Sequence, residues 1–105
     1  LPETSLRTPE STLSNPSGAS WHTAGVRILV VDDEERLANS IARGLEADGF
    51  AVDVVHDGID GLWRAREGQY AAIVLDIMLP GMNGYEVCRT LRDEDNWTPI
   101  LLLTA

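Results

Sequence analysis

Three short apolar runs in this sequence each end in side chains that carry oxygen atoms. At the ends of the runs 26–31, 71–75 and 100–103, these side chains are Asp32 with Asp33, Asp76, and Thr104. If the runs are parallel strands of one sheet, their polar ends meet at its carboxyl edge, where open α/β sheets bind ligands. Carboxylates gathered there need a counter-ion to stay ionised. Their oxygen atoms suit a divalent cation, so the pattern predicts a metal site with one carboxylate left to react.

Asp76 is the candidate for that reaction. A carboxylate has an ordinary pKa of about 3.9, so at neutral pH it is a nucleophile without a helper base. Its negative charge repels anionic substrates, and Mg²⁺ (or Mn²⁺) would remove that obstacle by bridging carboxylate and phosphoryl oxygens. We predict that Asp32, Asp33 and Asp76 hold the ion, with the backbone carbonyl of Met78 as a further ligand. The Thr104 hydroxyl could donate a hydrogen bond to a phosphorylated Asp76 and so convert a charge change into a shape change.

The elements that must position these residues follow from alternating apolar and amphipathic stretches, which indicate βαβ units. Strands are predicted over about 27–32, 51–56, 71–76 and 99–104. Helices are predicted over about 34–48, 58–67 and 84–94, with Asp57 as an N-cap and with Gly49 and Gly68 as helix ends. The helical spacing predicts these inward-facing side chains: Leu37, Ile41, Leu45, Ile59, Leu62 and Ala65. Trp63 and Trp97 are predicted to be partly buried, with surface contact area as the alternative for Trp63.

Composition excludes several functional classes. The chain has 105 residues, 44% of them hydrophobic, and a formal charge of −9 with no lysine. That charge argues against direct contact with nucleic acid or an anionic membrane surface, because phosphate contacts need basic residues. No stretch approaches the roughly 20 apolar residues of a membrane span. Cys88 is the single cysteine, which fits a reducing compartment, and we expect a cytoplasmic protein.

Residues 1–25 differ from the rest of the chain. They are rich in Ser, Thr, Pro and Gly, and they cannot bury enough apolar area to offset the entropy lost on ordering. We therefore expect a disordered tail over residues 1–25 and one domain over residues 26–105.

Three motifs carry a family resemblance: Val30-Val31-Asp32-Asp33-Glu34, Asp76-Ile77-Met78-Leu79-Pro80-Gly81-Met82-Asn83-Gly84, and Leu102-Leu103-Thr104-Ala105. They resemble the receiver domain of two-component response regulators, and the second motif is similar in sequence to regulators of the OmpR/PhoB type. The resemblance implies a flavodoxin-like (CheY-like), doubly wound α/β fold with a parallel sheet of strand order 2-1-3-4. It implies Asp76 as phosphoacceptor, Asp33 as direct metal ligand, and Asp32 as a ligand mostly through water. Thr104 would be the switch hydroxyl, and Ala105 the small residue beside the phosphoryl group.

The resemblance also implies partners. A sensor histidine kinase would donate the phosphoryl group, and transcription would be controlled through a winged-helix DNA-binding domain that this chain does not include. The family's fourth helix, fifth strand with its Lys, and fifth helix are likewise absent from the sequence. We therefore expect strand four to be an exposed edge that favours self-association or completion by a partner.

Two rival functions remain open from the sequence. One is an interaction module that uses the fold without phosphorylation, which the missing Lys favours and the intact acidic residues disfavour. The other is a Mg²⁺-dependent phosphohydrolase with an aspartyl nucleophile. Such enzymes commonly carry a second Asp two residues after the nucleophile, where this chain has Met78. We therefore expect a phosphoacceptor and not an enzyme.

Overall fold

The computed structural model describes residues 25–104. The expected tail before Gly25 and the role expected of Ala105 lie outside the described residues. Strands and helices alternate along the chain in this order: β1 (Arg27–Val31), α1 (Glu35–Ala47), β2 (Ala51–Val55), α2 (Gly58–Glu67), β3 (Ala72–Asp76), α3 (Gly84–Asp93) and β4 (Ile100–Leu103). Every predicted element is present, with bounds that differ by one residue at most. None of the helices described is long and apolar enough to cross a membrane.

The four strands form one parallel sheet in the order β2-β1-β3-β4. This order confirms the predicted 2-1-3-4 arrangement and the flavodoxin-like class. β1 and β3 are the central pair, and the register sets Val31 opposite both Val55 and Leu75. On the other side of β3, Asp76 is opposite Leu103. The carboxyl ends of β1 and β3 therefore stop at the same level, which brings the residues after them to one edge.

Helices cover both faces of the sheet, because alternate side chains of a strand point to opposite faces. Leu29 and Val31 of β1 pack with Ile73 and Leu75 of β3 in the larger core cluster, together with residues of α2 and α3. Ile28, Val30 and Val74 form the second cluster with Ala38 of α1. Burial on both faces explains why the central strands read as continuous apolar runs.

Side chains cap the starts of α2 and α3, and a glycine follows α1. Asp57 is the N-cap of α2 and accepts a 2.8 Å hydrogen bond from the amide of Asp60, as predicted. Asn83 and Glu86 form a capping box at the start of α3. Gly49 follows α1 at a φ of +99°, a backbone conformation that glycine adopts without steric cost. The caps at Asp57 and Asn83 fix where the loops after β2 and β3 end and the next helices begin.

The predicted inward faces are wrong at two positions. Leu37 is 47% exposed and Ile59 is 52% exposed. Both lie in the first turn of their helix, near the level at which the strands end, so the sheet does not cover them. Ile41 and Leu45 are partly buried against the core, and Leu62 and Ala65 are buried, as predicted.

Trp63 and Trp97 are exposed, so the predicted partial burial is wrong for both, while the alternative of a surface position for Trp63 agrees with the structure. Their exposed fractions are 55% and 67%. Each instead has an arginine guanidinium over its ring, Arg66 at 5.6 Å from the Trp63 centroid and Arg92 at 5.4 Å from that of Trp97. The size and apolar character of an indole favour burial, but a guanidinium can cover one of its faces at the surface.

Candidate metal centre

The central strands deliver three carboxylates to one point. Asp32 directly follows the last residue of β1, Asp33 follows it, and Asp76 is the last residue of β3. Because β1 and β3 are paired and end together, one oxygen from each of the three side chains lies within 4.8 Å of the others. The structure thus brings together three of the predicted site residues.

Asp32 is held from several directions. Its backbone N–H donates to the carbonyl of Val55 on β2 at 3.1 Å, which continues the β1–β2 ladder by one residue. Its Oδ1 accepts a 2.9 Å hydrogen bond from the backbone N–H of Glu34. The residue is 2% exposed. Its carboxylate is therefore fixed in position before any ligand arrives.

Asp76 is held in a similar way on the neighbouring strand. Its Oδ1 accepts a 3.1 Å hydrogen bond from the backbone N–H of Met78, two residues ahead, as Asp32 does from Glu34. The N–H of Ile77 donates to the carbonyl of Leu103 at 3.1 Å. Among the described residues, no protein group donates to Oδ2 of Asp32 or of Asp76. One oxygen of each carboxylate therefore stays available to a cation.

Gly84 explains the fixed distance in sequence between Asp76 and the start of α3. Its N–H donates to the carbonyl of Ile77 at 2.9 Å. A Cβ atom at this position would lie only 2.4 Å from the carbonyl oxygen of Asp76. Glycine is required because the backbone of α3 packs directly on the backbone of Asp76.

The loop between β3 and α3 also rests on another helix. The N–H of Gly58, the first residue of α2, donates to the carbonyl of Pro80 at 3.3 Å. A Cβ atom on Gly58 would lie 1.7 Å from the carbonyl oxygen of Met82. The loop that follows the acidic cluster is thus in backbone contact with the first turn of α2.

A cleft of about 280 Å³ opens over the acidic cluster. It is lined by Asp32, Asp33, Glu34, Leu37, Asp76, Met78, Leu103 and Thr104. Thr104 and Met78 therefore lie at the same cleft as the three carboxylates. The roles of the Thr104 hydroxyl and of the Met78 carbonyl stay predictions.

Sequence reasoning missed two of the lining residues, Glu34 and Leu37. Glu34 is the N-cap of α1, and its side chain accepts a 2.7 Å hydrogen bond from the amide of Leu37. Since α1 starts directly after the acidic pair, its first turn had to lie beside the cluster. The position of this turn, just after Asp32 and Asp33 in the sequence, could have identified Glu34 and Leu37 as lining residues.

Within residues 25–104, no positively charged side chain compensates the charge of the three acids in the cleft. Burial raises the pKa of the Asp32 carboxyl above its ordinary value, and the charges of Asp76 and Asp33 act in the same direction. The hydrogen bond from Glu34 opposes this shift of the Asp32 pKa. Across residues 25–104, no arginine forms an ion pair with Asp32, Asp33 or Asp76.

The residues present fit a hard divalent cation. They supply oxygen ligands alone, and they converge from two strand ends that are rigidly paired. Mg²⁺ commonly takes one or two carboxylates and keeps several waters, so three acids and an open cleft are sufficient. Burial first, and then the charges of Asp76 and Asp33, raise the pKa of Asp32, and a bound cation would favour the ionised form.

A different acidic residue, Asp53 on β2, was missed by the sequence reasoning. It accepts hydrogen bonds from Arg27 Nη2 at 2.7 Å and from the Tyr70 hydroxyl at 2.6 Å. Arg64 lies 3.9 Å from the same carboxylate. The Tyr70 and Arg27 hydrogen bonds hold the pKa of Asp53 below its ordinary value. This cluster carries its own positive charge, so it has the character of a structural ion pair.

Comparisons with known proteins agree with this geometry. Residues 28–105 match the model of the response regulator receiver domain family. The chain is 48% identical over 90 residues to the transcriptional regulatory protein TcrA of Mycobacterium tuberculosis, which covers 86% of this chain and 36% of that protein. The chain therefore spans about a third of the length of this curated relative.

Two solved structures have the same fold. One is the response regulator TrrA of Thermotoga maritima in complex with Mg²⁺-BeF, with a TM-score of 0.72 and 36% identity, covering 76% of this chain and 70% of that one. The other is the receiver domain of the sensor histidine kinase PA1611 of Pseudomonas aeruginosa, with a magnesium ion coordinated in its active site cleft. Its TM-score is 0.74 at 37% identity, with 78% of this chain and 69% of that one covered. The chain belongs to the family of response regulator receiver domains.

Proposed function

We propose that this receiver domain accepts a phosphoryl group from a sensor histidine kinase onto Asp76, with Mg²⁺ bound at the acidic cluster. One observation carries the proposal: oxygens of Asp32, Asp33 and Asp76 lie within 4.8 Å of one another beside an open cleft. The magnesium complexes of TrrA and of the PA1611 receiver domain support it.

The reaction is a phosphoryl transfer to a carboxylate. An Asp76 oxygen forms a bond to phosphorus while the bond from phosphorus to the donor's imidazole nitrogen breaks, and the imidazole leaves with that electron pair. No proton has to be removed from the nucleophile, since a carboxylate is already ionised at neutral pH. Asp76 is suited to this role because its Oδ1 is held by the Met78 amide and its side chain reaches the cleft.

Asp32, Asp33 and Asp76 would hold the metal, with the Met78 carbonyl as a further ligand. When bound, Mg²⁺ offsets the negative charge that the incoming phosphoryl oxygens add to the cluster. The chain's own contribution is to keep the carboxylates converged: the Val55 carbonyl and the Glu34 amide hold Asp32 in place. Thr104, at the end of β4, is our proposed switch residue, whose hydroxyl donates to an oxygen of phosphorylated Asp76.

We further propose that the phosphorylated protein regulates transcription. The support is the printed description of its relatives, such as TcrA, as transcriptional regulatory proteins. Contact with DNA would come from an output domain outside this chain, because the net charge of −9 does not suit phosphate binding. The kinase reaction would take place in the cytoplasm.

Intact-mass spectrometry after incubation with acetyl phosphate and MgCl₂ tests the phosphoacceptor. The wild-type protein is expected to gain the mass of one phosphoryl group, and Asp76→Asn is expected to gain none. Asp57→Asn, a change at a helix cap, is the matched control and should be phosphorylated as wild type. EDTA should prevent the mass gain.

Intact mass and an assay of phosphate-ester hydrolysis together separate the rival functions. An interaction module would remain unmodified, and a phosphohydrolase would release inorganic phosphate from a phosphate ester over many turnovers. Uptake of phosphate by Asp76→Asn at the wild-type level would overturn the assignment of the acceptor.

A further inference from the structure

His56 belongs to neither core cluster and does not line the cleft over the acidic residues. It follows β2 and precedes Asp57, the N-cap of α2. The residue is exposed. Its Nδ1 nevertheless lies 2.9 Å from the backbone carbonyl oxygen of Asp32.

This contact requires one particular tautomer. A carbonyl oxygen accepts hydrogen bonds and cannot donate them, so Nδ1 must carry the hydrogen and donate it. In the neutral ring, Nε2 is then the unprotonated nitrogen. The hydrogen bond thus assigns the tautomer of His56 from the identity of its partner.

The bond lies at a place where the sheet cannot supply a donor. The β1–β2 ladder pairs Val31 with Val55, and the Asp32 N–H still donates to the Val55 carbonyl. Beyond this point the chain turns into α2, which starts at Gly58, so no strand amide faces the Asp32 carbonyl. The His56 side chain takes the place of that missing backbone donor.

We infer that His56 is a positioning residue for the metal centre: its Nδ1–H holds the Asp32 carbonyl, and through it the turn that carries Asp32 and Asp33. This inference rests on the proposed magnesium-dependent function of the cluster. The Asp32 backbone is bonded to Val55 of β2 through its N–H and to His56, the residue after β2, through its carbonyl. The His56 bond limits rotation of the peptide between Asp32 and Asp33, and therefore the distance of both carboxylates from Asp76.

Three substitutions at position 56 distinguish positioning of the metal centre by the Nδ1–H donor from a general loss of stability. Asn carries its amide nitrogen at the place of Nδ1, so His56→Asn keeps the donor. Gln carries its amide nitrogen near the place of Nε2, so His56→Gln does not, and His56→Ala removes the donor outright. The control is Tyr70→Phe, which deletes the 2.6 Å hydrogen bond to Asp53 away from the cleft.

Isothermal titration of the purified protein with MgCl₂ gives the first readout. His56→Ala and His56→Gln are expected to raise the Mg²⁺ Kd by about three- to tenfold. His56→Asn should stay within about twofold of wild type, and Tyr70→Phe should leave the Kd unchanged. With acetyl phosphate, His56→Ala should be phosphorylated slowly at low Mg²⁺ and at the wild-type rate when Mg²⁺ is saturating.

A second readout does not depend on the metal. The ¹⁵N shifts of the His56 ring, recorded where the ring is neutral, should identify the Nδ1–H tautomer. An Nε2–H tautomer would overturn the inference, as would equal Mg²⁺ affinity in all three variants or a loss in His56→Asn as large as in His56→Ala. Failure of the wild-type protein to bind Mg²⁺ would instead contradict the proposed function on which the inference rests.

Discussion

Asp32 and Asp53 lie on the same sheet in opposite electrostatic surroundings. Asp53 has Arg27 and Tyr70 within hydrogen-bonding distance and Arg64 at 3.9 Å, and its pKa is lowered, chiefly by the Tyr70 and Arg27 hydrogen bonds. Asp32 is buried, has carboxylates for neighbours, and its pKa is raised, chiefly by burial.

The difference separates an acid in a structural ion pair, Asp53, from an acid at the proposed metal site, Asp32. Where the chain supplies the cation, ionisation of the carboxylate stabilises the folded state. Where the chain supplies further carboxylates, ionisation opposes folding until a cation from solution binds. An unfavourable charge arrangement therefore lies at the edge of the sheet where we propose that the phosphoryl group is accepted.

The largest expected effect is stabilisation by Mg²⁺. At a concentration one hundred times its Kd, a ligand that binds the folded state alone adds about 2.7 kcal/mol to the free energy of unfolding. For a domain of this size, that raises Tm by roughly 10 °C or more. Differential scanning calorimetry with MgCl₂ and with EDTA measures it.

Variants of the two acids show where that stabilisation arises. Asp53→Asn should keep the Mg²⁺-dependent rise in Tm, whereas Asp32→Asn should lose most of it. Equal rises in both variants would mean that Mg²⁺ acts away from the acidic cluster, and the comparison would fail.

Removal of the Asp53 carboxylate is the next largest effect. Asp53→Ala deprives the Tyr70 hydroxyl and the Arg27 guanidinium of their acceptor, which costs roughly 1–2 kcal/mol of unfolding free energy. Urea denaturation followed by circular dichroism measures the loss. Glu67→Gln, at an exposed acid of α2, is the control and should change stability by less than about 0.5 kcal/mol. An unchanged free energy of unfolding in Asp53→Ala would show that the ion pairs of Asp53 do not stabilise the fold.

Asp32→Asn should act in the opposite direction when Mg²⁺ is absent. The amide keeps an oxygen to accept the Glu34 N–H and removes an uncompensated buried charge, so we expect a gain of about 1 kcal/mol in EDTA. Asp33→Asn should gain less, because Asp33 is exposed. Thermal melts in EDTA measure both changes, and a destabilised Asp32→Asn would contradict this account of the buried charge.

The smallest effects are in the pH dependence of stability, where the contributions of Asp53 and Asp32 change with pH in opposite directions. The stability from Asp53, whose pKa is lowered from 3.8, is present above that pH and is lost as the pH falls through its folded-state value. The stability from Asp32, whose pKa is raised from 3.8, is present below that pH and is lost as the pH rises through its folded-state value. Urea denaturation of wild type, Asp53→Asn and Asp32→Asn in EDTA across this range should give differences that change in opposite directions.

The order of elements and the convergence of the acids could be predicted from sequence because both depend on local patterns. Apolar runs ending in Asp32 and Asp76 identify paired strand ends, since parallel strands in a covered sheet leave few arrangements. Exposure of Leu37 and Ile59 could not be predicted in that way. Hydrophobic spacing identifies a helix face, but it does not show how far the neighbouring sheet extends along it.

Long-range polar contacts were also beyond sequence reasoning. The bond between Tyr70 and Asp53, and that between His56 and Asp32, join residues from different strands and loops. Such contacts depend on strand register and on side-chain rotamers, for which a single sequence has no periodic signal. They become visible once the register of β1 with β2 is known.

The contact between Gly58 and the loop after β3 has a consequence for how a signal could be observed. The Pro80 and Met82 carbonyls lie against the first residue of α2 without an intervening side chain, so we expect a displacement of that loop to shift the helix. Trp63 is on the same helix, and its indole is largely exposed to solvent. If Asp76 is phosphorylated as proposed, we expect the emission of the Trp63 indole to change without an added label.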